Sequence, residues 1–204
     1  MAVVAVLLAA FFLLSSILLG LGMTTTYNLF EVFGAQSQPQ PQQNQGPTPQ
    51  DAIEEAQKDL EQNPGNPDAI TDLAGLYAQN GQYDEAARVL RDGREAAPNN
   101  SEIPALLGAV YGQQALGVEP KEQKELYGRA GDAFATAAEM EGNDEELYLQ
   151  AGQAYEEADQ PAEAIKYYNG YLDLEPEGQE AEQVKDRIAV LLEGGQEGGG
   201  EEGQ

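Results

Sequence analysis

The clearest alternation of apolar and polar positions lies between Asn66 and Asn100. Ile70, Leu73, Ala74 and Tyr77 stand at i, i+3, i+4 and i+7, one face of a helix. Asn80-Gly81 marks a turn. A second helix starts near Tyr83 and repeats the stripe with Ala86, Val89, Leu90 and Gly93, until Pro98 and the neighbouring asparagines stop it. Helices joined by so short a turn pack antiparallel, and small Ala74 and Ala86 let them approach closely.

The pattern recurs. Tyr77 has counterparts in Tyr111 and Tyr155. Ala86 has counterparts in Ala52, Ala130 and Ala164, and Pro98 in Pro64, Gly142 and Pro176, in the same register. One period is ten residues longer than the others, and the excess falls between Tyr111 and Ala130, around Leu116 to Leu126. Pro120 suits a first helical turn and KEQKEL is helix-forming, so the insertion is expected to lengthen the following helix at its start. A longer helix would project beyond its neighbours, as a docking feature or as a tolerated insertion.

A helix-turn-helix unit carrying Leu73, Ala74, Tyr77, Gly81, Tyr83, Ala86, Leu90 and Pro98 resembles the tetratricopeptide repeat, in these residues and in the length of its period. Ile70 stands where that family usually has Trp, and Gly93 where it usually has Ala. The resemblance implies an all-α fold, an α-α superhelix of about three repeats with capping helices; the apolar run at the N-terminus adds one transmembrane helix ahead of it. The repeats are expected at 67–100, 101–144 (with the insertion) and 145–178, within a domain spanning 49–193. Asn66 and Asn100 are natural N-caps for the first helices of the first two repeats. Ala52, Ile53, Ala56 and Leu60 make 49–64 a half-repeat, a second helix lacking its first, which would cap one end of the stack. Residues 179–193, with Val184, Ile188, Leu191 and Leu192 as the apolar stripe, would cap the other.

In this family the concave groove is lined by outward positions of each first helix and receives an extended peptide or a partner's helix. The matching positions are Asp68, Thr71, Asp72, Gly75 and Gln79 in the first repeat, Glu102, Ala105, Ala109 and Gln113 in the second, and Glu146, Leu149, Gln153 and Glu156 in the third. Some family members clamp a partner's terminal carboxylate with Lys, Arg and Asn. Neither Lys nor Arg occurs at these positions, so a basic, polar or mildly apolar protein or peptide partner fits better. The bland alternative is a solvated face on an acidic protein.

Beyond the repeats, Ala2 to Gly22 carries no charge and, at about 1.5 Å per residue, is long enough to span the ~30 Å hydrocarbon core. Residues 1–23 therefore read as a transmembrane anchor, or as a signal peptide cleaved after the small pair Gly20 and Gly22. The first basic side chain is Lys58, so no Lys or Arg holds the following segment in the cytoplasm, and the repeats are expected outside it. Residues 24–48 form a linker: Tyr27, Phe30 and Phe33 suit the headgroup level, and the uncharged Gln/Pro run from Ala35 to Gln50 reads as a semi-stiff spacer. Residues 194–204 read as a flexible Gly/Glu tail.

Charge and composition narrow the chemistry. Acidic residues number 36 against 10 basic, a net charge of -26, which disfavours nucleic acid and anionic membrane surfaces as partners of the soluble part. The chain has neither Cys nor His, which removes disulfides, thiolate catalysis, the usual general base and the commonest metal ligands. G-x-S-x-G, the phosphate loop and the EF-hand loop are absent. No catalytic residue, metal or cofactor is expected. Asn99-Asn100-Ser101 fits a glycosylation acceptor, but helix capping already accounts for it. The expected function is a membrane-tethered, non-enzymatic scaffold in envelope assembly, secretion or protein folding. The alternatives are a secreted binding or chaperone-like protein and a cytoplasm-facing adaptor. The insertion and the apolar anchor both allow a homo-oligomer.

Overall fold

The computed structural model describes residues 48–197, with side chains to residue 193. The expected transmembrane segment, the linker as far as residue 47 and the tail from residue 198 lie outside the described residues. Among the described residues there are eight helices and no strand. No helix among them is long and apolar enough to cross a membrane.

The helices are α1 Pro49–Gln62, α2 Pro67–Gln79, α3 Tyr83–Ala96, α4 Glu102–Ala115, α5 Pro120–Glu141, α6 Glu145–Glu157, α7 Pro161–Leu174 and α8 Ala181–Glu197. Local chemistry sets most of the starts. Thr48 caps α1 by a reciprocal pair with Asp51: Thr48 Oγ1 accepts from the Asp51 amide at 3.2 Å, and Asp51 Oδ2 accepts from the Thr48 amide at 2.8 Å. Those bonds hold the Asp51 carboxyl below its usual range. Asn66 caps α2 by accepting from the Asp68 amide at 3.1 Å, with Pro67 at the first helical position. Asn100 Oδ1 accepts from the Ile103 amide at 2.9 Å, and Asp144 Oδ1 from the Leu147 amide at 3.2 Å. Gly81 and Gly142 stop α2 and α5 with φ of +74° and +72°, a left-handed conformation that costs glycine no Cβ clash.

Each helix packs on the next in sequence, and α2 also reaches α4, the arrangement of a solenoid in which α2, α4 and α6 share one face. The core is built by placing a small residue opposite a large one. A β-carbon on Gly108 would lie 2.8 Å from the Phe134 ring, one on Gly131 2.7 Å from Tyr155, and one on Gly152 2.5 Å from Tyr168. No side chain fits at these glycines without moving the ring. Gly93 is seated directly against Ile70. The two departures from the repeat pattern therefore meet each other: a glycine on α3 leaves room for the isoleucine on α2.

The ten-residue insertion is divided. α2 ends two residues after Tyr77, whereas α4 ends four after Tyr111, so two inserted residues extend α4. The connection has four residues instead of three, and seven extend α5 at its start, behind Pro120 as expected. The extension does not project freely. Lys124 Nζ lies 2.7 Å from Asp159 Oδ2, and the Gly128 backbone approaches Ala158 and Gln160 in the α6–α7 turn. Asp159 holds that turn at a φ of 61°, a left-handed conformation that Asp tolerates better than most residues.

Two expectations about the apolar stripes need correction. Val89 is only half-buried, because Ala86, Leu90 and Gly93 carry the contact face of α3. On α8 the stripe against the stack is Ala181 and Val184, buried, with Ile188 and Leu191 half-buried. Leu192 is 52% exposed, since one residue past Leu191 turns it about 100° off that stripe. The helix also continues to Glu197, past the expected end of the capping element.

Candidate functional site

The face shared by α2, α4 and α6 is set apart by charge. All ten Lys and Arg residues of the chain lie elsewhere: on α1, α3, α5, α7 and α8. The three first helices carry only acidic formal charges: Asp68 and Asp72 on α2, Glu102 on α4, and Glu145, Glu146, Glu156 and Glu157 on α6.

Asp68, Asp72, Gln79 and Glu102 are exposed. Gln113, Glu146, Gln153 and Glu156 are half-buried, as are Ala105 and Ala109. Thr71 is not a groove residue: it is 7% exposed, and its hydroxyl donates to the Asp68 carbonyl at 3.2 Å, which satisfies it within its own helix. Gly75 and Leu149 are buried as well, so they pack rather than present a surface.

The acidic side chains feel one another. Partial burial, then the carboxylates of Asp68 and Asp59, push the Asp72 carboxyl up. Further along the face, burial pushes Glu146 up, helped by Glu180, Asp144 and Glu145 and opposed by a hydrogen bond from Gln150. Glu156 is the exception, being already partnered. It accepts from the Tyr168 hydroxyl at 2.6 Å, and its Oε2 lies 3.2 Å from Arg187 Nε on α8. It therefore ties the capping helix to the third repeat and is less available to a ligand.

Two residues at this face escaped the reading of the sequence. Gln150, one turn after Glu146, is 9% exposed. Its Nε2 donates to Glu146 Oε1 at 3.0 Å, and its Oε1 is closed off from solvent with no donor. Glu180, just before α8, accepts from the Tyr171 hydroxyl at 3.3 Å and acts electrostatically on Glu146. The periodicity holds a signal for it: Glu180 follows Glu146 by one full period of the repeat. Gln150 has no such signal, because the missing donor at its Oε1 is a property of packing.

Among the described residues no group of His, Cys, Asp or Glu is placed to hold a metal ion. Comparison with known proteins gives the fold. Residues 48–110, from the cap of α1 into α4, match the tetratricopeptide repeat family. No curated protein sequence matches the chain. Among solved structures, a crystal structure of MamA is 20% identical with a TM-score of 0.53, over 72% of this chain and 78% of that one. MamA from AMB-1 and a MamA D159K mutant each give a TM-score of 0.54 at 20% identity, over 72% of this chain and 73% of theirs. At that identity the likeness concerns the fold. The described residues form a tetratricopeptide-repeat-like solenoid, an architecture that typically serves protein interaction, and α2, α4 and α6 are its first helices.

Proposed function

We propose that this protein is a non-enzymatic scaffold that captures a basic segment of another protein on the face of α2, α4 and α6. The observation that carries this reading is the segregation of charge. Ten cationic side chains are present, and none stands on those three helices. A basic segment would meet carboxylates there with no Lys or Arg on their own helices, whereas each of the other five helices carries at least one cation, which favours that face for docking.

The scaffold is tethered to a membrane through Ala2 to Gly22, with the repeats outside the cytoplasm, and serves envelope assembly, secretion or folding. The length of that uncharged run and the absence of Lys or Arg between it and Lys58 support this. Gly20 and Gly22 favour a second reading, a protein secreted after cleavage.

Two experiments test the proposal. Asp68→Lys combined with Glu102→Lys, both at exposed positions, is expected to abolish binding of a basic peptide while leaving the melting temperature nearly unchanged; undiminished binding would refute the acidic face as the docking site. Protease added to cells whose outer barrier has been opened is expected to digest the repeats and leave a short apolar remnant in the membrane. Protection until lysis would place the repeats in the cytoplasm. A free protein whose mature N-terminus is Met23 would identify Ala2 to Gly22 as a signal peptide.

A further inference from the structure

Among the described residues, Arg187 is the one cation paired with a carboxylate of α2, α4 or α6. It reaches across from α8 and brings its Nε to 3.2 Å from Glu156 Oε2, near the end of α6. The other ion pairs, Lys124 with Asp159, Lys166 with Glu139 and Lys185 with Glu182, lie off those three helices. The face that no Lys or Arg of its own helices neutralises thus already carries a guanidinium from elsewhere in the chain.

Glu156 does not depend on that guanidinium for its place. The same Oε2 accepts from the Tyr168 hydroxyl at 2.6 Å, and Tyr168 is buried on α7. Were Arg187 to leave, the carboxylate would stay where it is, open to another cation. The hold on the other partner is weaker. The buried side chains of α8, Ala181 and Val184, lie at its start. From Lys185 to Glu193 every side chain is exposed or half-buried, and that of Arg187 is 44% exposed. An ion pair so open to water contributes little to stability. A stretch of helix with little buried apolar surface is the part of a fold that opens most readily.

We infer that α8 is an internal competitor for the docking face: Arg187 occupies Glu156 in place of a ligand's cation, and a basic segment that takes Glu156 releases α8 from Arg187 onward. This rests on the reading of the face of α2, α4 and α6 as the docking site, and it adds that capping and docking oppose one another. Such coupling is reciprocal: whatever frees Glu156 from α8 tightens binding, and binding loosens α8 by the same factor.

The test uses the full-length chain in neutral detergent and labelled octa-arginine, followed by fluorescence anisotropy. Fully extended, that peptide is about 27 Å long, more than the ~15 Å rise from Glu146 to Glu156. Arg187→Gln is expected to tighten binding about fivefold. Lys185→Gln removes the same charge from the same helix, but its partner Glu182 lies 2.7 Å away on α8 itself. Its gain is expected to stay below about twofold, the effect of net charge alone. Adding Glu156→Gln to Arg187→Gln is expected to cancel the gain, since the amide still accepts from Tyr168 but attracts no cation. In the unsubstituted chain, saturating peptide is expected to lower hydrogen-exchange protection from Arg187 to Glu193 and leave that of α7 unchanged. Equal affinities of the Arg187→Gln and Lys185→Gln chains, both abolished by the Asp68→Lys, Glu102→Lys pair, would overturn the competition and leave the docking face standing. Unchanged protection of α8 at saturation would overturn its release. No binding of octa-arginine to any of these chains would overturn the docking face and this inference with it.

Discussion

The first two repeats and the third use one scaffold but hold it together differently. In the first two, the large buried side chains are mainly aliphatic: Ile70, Leu73, Leu90, Ile103, Leu107 and Val110. The tyrosine at the repeated position serves there as a hydrogen-bond acceptor. Tyr77 accepts from Gln57 Nε2 at 2.5 Å, and Tyr111 from Arg91 Nη1 at 3.2 Å. The third repeat buries Tyr155, Tyr167, Tyr168 and Tyr171, and each hydroxyl donates to a carboxylate: Asp132 at 2.9 Å, Glu139 at 2.9 Å, Glu156 at 2.6 Å and Glu180 at 3.3 Å. The rings of Tyr155 and Tyr167 stack with centroids 5.4 Å apart. A buried phenol needs a partner for its hydroxyl, and a chain this acidic supplies one easily. The result is a third repeat whose packing is coupled to ionisation, beside two whose packing is largely apolar.

The largest effect that separates the regions is expected from Tyr168→Ala. It removes a fully buried ring and should cost about 3–5 kcal/mol in chemical denaturation. Loss confined to hydrogen-exchange protection of α6 to α8 would show that the third repeat opens as a unit. Next, Tyr168→Phe should cost about 1.5–3 kcal/mol, because it deletes a bond to a charged acceptor, against about 0.5–1.5 kcal/mol for Tyr77→Phe. Equal costs would remove the distinction drawn between the repeats. Gly108→Leu should cost about 1–3 kcal/mol by driving a side chain into the Phe134 ring. Gly152→Leu, against Tyr168, should cost a similar amount, since both regions share this packing device.

Alkali sharpens the comparison. Burial, then the bonds to Asp132 and Glu156, push the Tyr155 and Tyr168 hydroxyls well above the ordinary tyrosine range. Tyr167 and Tyr171 are raised too, chiefly by burial. An unfolded tyrosine releases its proton near pH ~10. Above that pH the unfolded state binds fewer protons than the folded one, so the contribution to stability is complete below about pH 10 and is lost as pH rises toward the folded values. Amides of α7 should lose protection in this range before those of α2. The smallest effect belongs to Lys124→Ala: its pair with Asp159 is exposed on both sides and should contribute at most about 1 kcal/mol by double-mutant cycle.

The sequence by itself determined the repeat, its register and the place of the extra ten residues. These rest on local signals: apolar spacing at the helical period, Asn66, Asn100 and Pro120 at helix starts, and glycines where the backbone must turn left-handed. It also determined the charge of the first helices, since a register once known assigns residues to a face. The tertiary structure decided which of those residues stay on the surface. Thr71 and Leu149 occupy groove positions by register, yet both are buried, because burial depends on how closely the neighbouring helices approach. It decided that the longer α5 docks on the α6–α7 turn and that Leu192 turns away from the stack. It alone showed that Gly93 and Ile70 fit one another, that Tyr155 and Tyr167 direct their hydroxyls at Asp132 and Glu139 of the preceding repeat, and that the Gln150 carbonyl has no donor. Periodicity places residues along an element. Contacts between elements depend on side-chain volume and direction, which no spacing along one chain encodes.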